Sequence, residues 1–340
     1  MLKRRTLLLG IVALPLGLAS CATKPAGGDK SSFPVTIKHA LGQTTIPSLP
    51  TRIATLGYAS HDICAALGVP PVGVEALPER GYGLSLWFSK SLTNQNFVFP
   101  QTYPADKTLP LEQLRQLRPD VILAVNSAIT AKGYEQLIKI APVVAYPDIP
   151  LGTDWRTSTT MIGQVLGRAS QAKDVIAATE AAIRKSLEGY STFNGTSFIY
   201  AGVARDFGAD LQVVPSQSNS IKTLQDFGLV LSDSMSNIER VGLKRHLDTG
   251  SDAIMLPVRD IQLFKASVHV IAVKTEDYDQ IQSSGVLDPI LAVAKNSLVQ
   301  LKSGDDALAL FEASPLSVQW AAWTVVPAVA RAAYEARKSS

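Results

Sequence analysis

Short apolar runs alternate with longer helical patterns along this chain, and this alternation constrains its fold more than any other feature. The β-branched runs at 121–125 and 198–203 predict strands, and the segment 111–117, with Leu at every third position, predicts a helix. Strands that alternate with helices in this way are typical of parallel sheets covered by helices. The sequence therefore predicts an α/β fold with parallel-rich sheets flanked by helices.

The alternation occurs in two series, separated by an almost continuous helical pattern from residue 155 to about residue 190. The roughly 300 residues after position 32 exceed the usual size of a domain with a single core. Both series also contain a turn with Asp that leads into an apolar strand, at Pro119-Asp120 and at Ser251-Asp252. We therefore expect an N-terminal lobe over 33–168, a linking helix over 169–190 and a C-terminal lobe over 191–340.

Two helices are predicted near the end of the C-terminal series. Residues 243–247 are predicted to form a helix before the strand at 253–256. Residues 315–337 are predicted to form one long terminal helix, with a kink near Pro327 because proline lacks the backbone N–H that an α-helix requires.

The amino terminus has the pattern of an export signal. Lys3, Arg4 and Arg5 precede an apolar run over 7–18, and Leu18-Ala19-Ser20-Cys21 follows. This pattern predicts a signal peptide over 1–20 and a bacterial lipoprotein whose Cys21 carries diacylglyceryl and acyl chains such as palmitate. The alternative is an ordinary signal peptide with an incidental cysteine. Arg4-Arg5 leaves both the general and the twin-arginine exporters open.

The segment that follows is small and polar, and residues 21–32 are predicted to be a flexible tether. The protein is then expected to be lipid-anchored to a bacterial membrane, facing the periplasm or the cell exterior.

The charge of the chain is balanced once the signal peptide is removed. Removal of 1–20 takes three basic residues from the 32 basic and 29 acidic ones, which leaves 29 of each. This balance gives no support for nucleic-acid binding. Cys64 alone remains beside a lipidated Cys21, so no internal disulfide is expected, and Cys64 is predicted to lie in the core.

The motifs of common enzymes are absent from the sequence, including the nucleophile elbow, the phosphate-binding loop and the paired metal motifs of Cys and His. His39, His61, His246 and His269 each lack a histidine partner at helical or strand spacing, so a metal site would require ligands from distant segments. The sequence therefore predicts a protein that is not an enzyme and has no resident metal or cofactor.

Five segments, in this order, resemble the substrate-binding proteins of ABC importers for ferric siderophores and cobalamin. They are Pro50-Thr51-Arg52-Ile53-Ala54-Thr55-Leu56-Gly57, Ala66-Leu67-Gly68-Val69-Pro70-Pro71-Val72-Gly73-Val74, Leu117-Arg118-Pro119-Asp120-Val121-Ile122-Leu123, Gly163-Gln164-Val165-Leu166-Gly167-Arg168 and Ser314-Pro315-Leu316-Ser317-Val318. The resemblance implies two α/β lobes joined by one rigid helix, with a ligand cleft between them. It also implies a monomer that delivers an iron(III)-siderophore complex to a permease and its ATPase.

Haem and cobalamin are alternative ligands of the same class. A membrane-tethered scaffold or signalling protein with the same fold is a different kind of alternative.

Cleft residues of this family tend to lie in the loops that follow the strands, as in other open α/β sheets. Arginine can grip anionic siderophore oxygens with paired donors, and aromatic rings supply flat apolar contact. The predicted ligand-binding residues are therefore Tyr58, His61, Arg80, Tyr82, Trp87, Asn126, Arg205 and Arg259, with Glu75 in the same group of loops. Trp155, Trp320 and Trp323 are expected in the core, and of these only Trp323 is a further candidate for the cleft.

In the resembled family a carboxylate on each lobe contacts arginines of the permease and guides docking. Glu112 matches the position in the first lobe. The second lobe departs from the pattern, because Lys244 stands where the family has glutamate and Glu239 lies five residues earlier. Glu112 and Glu239 are therefore the predicted docking residues, and Glu112 has the alternative of being an ordinary solvated charge.

Overall fold

A computed structural model describes residues 33–77, 83–104, 108–190, 193–203, 210–246, 252–272, 296–301 and 304–338, and also residues 283, 285 and 288. Its strands are β1 Val35–His39, β2 Gly42–Ile46, β3 Ile53–Thr55, β4 Gly73–Ala76, β5 Gln101–Pro104, β6 Val121–Ala124, β7 Val143–Ala145, β8 Ser197–Val203, β9 Asp210–Val213, β10 Val230–Leu231, β11 Leu243–His246, β12 Asp252–Pro257, β13 Val268–Ala272 and β14 Leu298–Leu301.

Eleven α-helices lie between or after these strands in the described residues. They are α1 Ser60–Ala66, α2 Leu86–Asn94, α3 Leu111–Leu117, α4 Ala131–Leu137, α5 Trp155–Val165, α6 Ala169–Leu187, α7 Asn219–Asp226, α8 Ser234–Val241, α9 Gly304–Glu312, α10 Pro315–Thr324 and α11 Val326–Lys338, and a 3-10 helix spans Val258–Leu263. None of the helices described has the length and apolar character needed to cross a membrane.

The first sheet has the order β5-β4-β3-β6-β7, and all its pairings are parallel. Every residue of β3, β6 and β7 is buried, as expected for a parallel sheet whose two faces are both covered by helices. The hairpin of β1 and β2 lies outside this sheet, and the Thr44 hydroxyl on β2 donates to the Val143 carbonyl of β7 over 2.5 Å.

The second sheet has the order β11-β12-β9-β8-β13-β14, with β10 beside β8. The strands β10, β8, β13 and β14 pair in parallel, whereas β9, β12 and β11 are joined in antiparallel pairs. The predicted α/β class is confirmed, and the second sheet is mixed.

The predicted helix at 243–247 is wrong, because this segment contains the strand β11. Leu243 pairs with Met255 and Lys244 pairs with Ile254 in an antiparallel ladder. Backbone pairing with β12 therefore overrides the local pattern, as it does for short segments with weak intrinsic preference.

The helical pattern from 155 to 190 is divided in the structure into α5 and α6. Between them Gly167 has φ 60°, a left-handed conformation that glycine adopts at little cost. The predicted terminal helix is also divided, into α10 and α11, at Val325 and two residues before Pro327. Proline therefore interrupts the helix, as the sequence predicts.

One apolar core continues through both sheets. Trp155, Phe88 and Leu92 from the first half belong to the same buried cluster as Phe198 and Val299 from the second. The helix α10 strengthens this continuity, because it packs against α6 and also against α1 and α2. The two lobes are therefore held together by a second helix in addition to the linking helix α6.

Candidate functional site

The carboxyl ends of three neighbouring strands meet at one edge of the first sheet. After β3, the Tyr58 backbone N–H donates to the carbonyl of Asn126, which follows β6, over 2.9 Å. The Gly57 N–H donates to Oε2 of Glu75 on β4 over 2.6 Å. Residues that the sequence assigns to separate loops are therefore connected directly by hydrogen bonds.

Gly57 permits this close approach of the loops after β3 and β6. Its φ is 74°, and a Cβ at this position would lie 2.4 Å from the carbonyl oxygen of Asn126. Both the backbone conformation and the available space exclude a larger residue here.

Glu75 and Tyr58 form the half-buried part of this edge. Burial raises the pKa of Glu75 to about 7, and the hydrogen bond from Gly57 acts in the opposite direction. The pKa of Tyr58 is raised to about 12 by burial and by the charges of Glu312 and Glu75. The Tyr58 ring also packs edge-on against Phe311 at 4.8 Å between centroids, so a neutral phenol lies between the two halves of the protein.

A fully buried polar cluster lies directly beside this edge, and we call it the His61 cluster: His61, Asp62, Trp87, Glu312 and Ser314. The Trp87 Nε1–H donates to Asp62 Oδ2 over 2.7 Å and to Glu312 Oε2 over 3.1 Å, and the Ser314 hydroxyl donates to Asp62 Oδ2 over 2.5 Å. The His61 Nε2 atom lies 3.6 Å from Asp62 Oδ1 and 3.9 Å from Glu312 Oε1. The cluster therefore connects α1 and α2 with the turn between α9 and α10.

Burial dominates the protonation of this cluster. It lowers the pKa of His61 to about 4, so the imidazole is neutral near pH 7. It raises the pKa of Asp62 to about 7, against the hydrogen bonds from Ser314 and Trp87. His61 is therefore not isolated, because the fold brings two carboxylates from distant segments next to it.

The local sequence explains how Ser314 is positioned. Its hydroxyl accepts from the Ser317 N–H over 2.9 Å, the Ser317 hydroxyl accepts from the Ser314 N–H over 2.8 Å, and Pro315 occupies the first turn of α10. This capping box fixes the start of α10. Ser314 thus caps one helix while its hydroxyl reaches a carboxylate on α1.

A second polar contact between the two halves involves Asn126 and Asn219, and both residues are buried. Asn219 on α7 donates to the Leu151 carbonyl over 3.3 Å, and its Nδ2 lies 3.5 Å from Asn126 Oδ1. Asn126 also lies 3.5 Å from the Glu312 carbonyl. This amide therefore joins the carboxyl edge of the first sheet to α7 and α9.

The predicted ligand-binding residues fall into three groups. Tyr58, His61, Trp87 and Asn126 are brought together where the two halves meet, and all except Tyr58 are buried. Arg259 has a side chain that is 84% exposed and lies 4.0 Å from Asp260, after β12. Arg80, Tyr82 and Arg205 lie outside the described residues, as does the predicted lipidation site Cys21.

The three other tryptophans are placed differently. Trp155 is buried and Trp320 is partly buried in the shared core, as predicted, whereas Trp323 is 64% exposed on α10. The core interpretation is therefore wrong for Trp323, since packing covers only one side of α10 at this position. Cys64 is buried, as expected.

The predicted docking residues differ in their surroundings. The Glu112 side chain on α3 is 70% exposed and lies 3.6 Å from Arg115. Glu239 on α8 is half-buried and accepts from the Ser216 N–H over 2.8 Å. Lys244 is exposed on the edge strand β11 and not on a helix.

Sequence reasoning missed Glu312 as a member of the site. The nearest signal was its position two residues before Ser314-Pro315, where a helix ends and the next begins. That pattern predicts a helix boundary, but it does not predict which distant segment the boundary contacts.

Comparison with known proteins gives the same architecture. Residues 53–200 match the model of a family described as periplasmic binding protein. The iron-uptake ABC transporter substrate-binding protein PiaA of Streptococcus pneumoniae, in complex with ferrichrome, has a TM-score of 0.77 and 25% identity, over 88% of this chain and 99% of that one. Staphylococcus aureus SirA, complexed with staphyloferrin B, has a TM-score of 0.65 and 22% identity, over 87% of this chain and 98% of that one. The resemblance drawn from the sequence motifs is thereby confirmed.

Proposed function

We propose that this chain, which has the periplasmic binding protein fold and matches that family over residues 53–200, captures an iron(III)-siderophore complex. It then delivers the complex to the permease of an ABC importer without changing it chemically. The observation that carries this proposal is the similarity to PiaA with ferrichrome, which extends through both sheets and the helices between them.

The ligand would lie at the carboxyl edges of the two sheets. Strand β12 runs in the same direction as β8, because both are antiparallel to β9. Residue 204, which follows the end of β8, and the exposed Arg259 therefore start from the same edge of the second sheet. Arg205 and Arg259 would offer paired donors to anionic siderophore oxygens, and Tyr58 at the edge of the first sheet would supply an aromatic surface.

Binding would involve only a small closing movement. The shared core, α6 and α10 all connect the two halves, so a wide hinge opening would expose buried apolar surface. Rocking of the two sheets around a rigid connection costs less and suffices to enclose a ligand. Solution scattering with and without ligand should then show almost the same radius of gyration, and a large change would argue against this movement.

The membrane anchor and the permease contacts complete the proposal. Lipidation of Cys21 would hold the protein outside the cytoplasm, and residues 22–32 would separate the folded part from the bilayer. The exposed Glu112 on α3 is the better placed docking carboxylate. Glu239 would first have to release the Ser216 N–H, so we expect it to contribute less.

A fluorescence titration tests the proposal. The protein from residue 22 onward is titrated with ferric catecholate, hydroxamate and carboxylate siderophores, with haem and with cobalamin. Saturable quenching of tryptophan emission by one ferric complex is expected, with at least tenfold weaker binding in Arg259→Ala and in Arg205→Ala. Arg337→Ala, on the exposed end of α11, is the matched control and should bind normally.

Three outcomes would overturn the proposal. Saturable binding of haem or cobalamin alone would identify a different ligand. A lack of response to every compound would favour a scaffold with the same fold. Equal binding by all the arginine variants would refute the role of the two arginines.

A further inference from the structure

We propose that His61, Asp62 and Glu312 form a site for one divalent transition-metal ion such as Zn²⁺, which joins α1 to the end of α9. This site is separate from the siderophore cleft and does not depend on the proposed function. Imidazole and carboxylate ligands of this kind suit divalent ions of the first transition row.

The spacing of the three ligand atoms fits a metal ion better than direct hydrogen bonds. His61 Nε2 lies 3.6 Å from Asp62 Oδ1 and 3.9 Å from Glu312 Oε1, and the three residues can each offer one ligand atom within 4.8 Å of the others. Hydrogen bonds between such groups are about 2.7–3.2 Å long. Tetrahedral ligands at about 2.1 Å from a zinc ion are about 3.4 Å apart, so a small contraction would complete the coordination.

The outer oxygens of the carboxylates are already occupied. Trp87 Nε1 donates to Asp62 Oδ2 and Glu312 Oε2, and the Ser314 hydroxyl also donates to Asp62 Oδ2. These bonds orient Asp62 Oδ1 and Glu312 Oε1 towards His61. Outer hydrogen bonds of this kind fix the ligands of protein metal sites.

One ligand atom of the site lacks a hydrogen-bond partner. Asp62 Oδ1 is completely buried, and no donor among the described residues bonds to it. A buried carboxylate oxygen without a partner is costly, since it has lost its water and gained nothing in return. A metal ion would supply the interaction that Asp62 Oδ1 lacks.

The position of the site gives the ion a structural role. His61 and Asp62 lie on α1, which packs against α10, and Glu312 is the last residue of α9. An ion bound by all three residues would therefore hold the two halves of the protein together. Because it would bind the folded state alone, it should raise the temperature of unfolding, and above its dissociation constant this rise should grow with the logarithm of the free ion concentration. The ion would enter beside Tyr58 and Phe311, since these two rings, next to Glu312, are only partly buried.

Calorimetry without any siderophore tests the proposal. The protein from residue 22 onward is freed of metal with a chelator and titrated with ZnCl₂, and Co²⁺ is used in parallel as a spectroscopic probe. One equivalent of Zn²⁺ should bind, raise the unfolding temperature by several degrees and displace Co²⁺ with loss of its visible absorption. Glu312→Gln and His61→Gln should each weaken binding at least tenfold.

Glu135→Gln is the control, because it removes an exposed carboxylate on α4 outside the site, and it should bind Zn²⁺ normally. Binding of Zn²⁺ that is unchanged in Glu312→Gln would refute the site. Absence of Zn²⁺ and Co²⁺ binding to protein with a native circular dichroism spectrum would also refute it. Asp62→Asn should also weaken Zn²⁺ binding at least tenfold, and if it fails to fold, Glu312→Gln and His61→Gln still decide the question. Siderophore binding is measured separately, so failure of either proposal is recognised independently of the other.

Discussion

Replacing Glu75 with glutamine should change how the stability of the protein depends on pH. The folded-state pKa of Glu75 is raised to about 7 from its ordinary value of 4.5, because the side chain loses water on burial. The folded protein therefore binds a proton at Glu75 in a pH range where the unfolded chain has released it. Stability from this group is fully present below about pH 4.5 and is lost as pH rises through 7.

The size of the effect follows from the two pKa values. A difference of about 2.5 between 7 and 4.5, at about 1.4 kcal/mol for each pKa unit, gives about 3.5 kcal/mol in total. About 2–3 kcal/mol of this would be lost between pH 5 and pH 8. Glutamine can still accept the hydrogen bond from the Gly57 N–H but cannot ionise, so Glu75→Gln lacks this loss.

Urea unfolding at pH 5 and at pH 8, followed by circular dichroism, measures the effect. The free energy of unfolding of Glu75→Gln minus that of the wild type should increase by about 2–3 kcal/mol from pH 5 to pH 8. Other titrating groups, including Asp62, contribute to both proteins and cancel in this difference. Glu135→Gln, at an exposed position on α4, should show almost no change with pH. A difference that stays constant, or that decreases towards pH 8, would refute the reasoning.

Two further substitutions test a contact between the halves and the close approach of two loops in the first half. Asp226→Asn weakens the contacts of Asp226 Oδ2 with the Arg156 guanidinium and the Trp155 indole N–H, both at 2.9 Å, and should lower the free energy of unfolding by about 1–2 kcal/mol in urea. Gly57→Ala places a methyl group 2.4 Å from the Asn126 carbonyl oxygen, at a residue whose φ is 74°. It should lower the free energy of unfolding in urea by about 3 kcal/mol or more.

A control variant accompanies each of these two substitutions. One compares a partly buried ion pair with an exposed one, and the other separates the steric clash from the backbone strain. Arg115→Ala removes an ion pair with Glu112 that is exposed on both sides, and should cost less than about 0.5 kcal/mol. Gly68→Ala has a similar φ of 71° but open space around the new methyl group, so it should cost only about 1–2 kcal/mol. Equal costs for Gly57→Ala and Gly68→Ala would show that the clash contributes nothing.

Most of the fold could be predicted because its strands are short, apolar and separated by clear helical patterns. The helix at 111–117 has the predicted bounds, and the strand predicted at 121–125 is only one residue shorter in the structure. The error at 243–247 has a physical cause: Leu243-Lys244-Arg245-His246 has no alternation of apolar and polar residues, and pairing with β12 decides its conformation. The antiparallel half of the second sheet could not be predicted either, because strand direction depends on connections that local patterns do not report.

Only the site residues that lie at the carboxyl edge of the first sheet could be predicted from the sequence. Tyr58 and Asn126 were placed near each other because the carboxyl ends of adjacent parallel strands share an edge, and their backbones are in fact hydrogen-bonded. The contact between Asp62 and Ser314 spans 252 positions, and nothing in either segment indicates the other. Burial of His61 and Trp87 follows from α10 crossing back onto α1 and α2, a feature of tertiary packing that a single sequence does not encode in its local pattern.

Native mass spectrometry of the protein from residue 22 onward tests the central claim most directly. The protein is mixed with one equivalent of each ferric siderophore and, separately, with the same siderophores without iron. The account predicts one species with the mass of one protein and one intact ferric siderophore, formed with a single siderophore class and much less with its iron-free form. Absence of this species for every siderophore, or binding of iron without the siderophore, would contradict it.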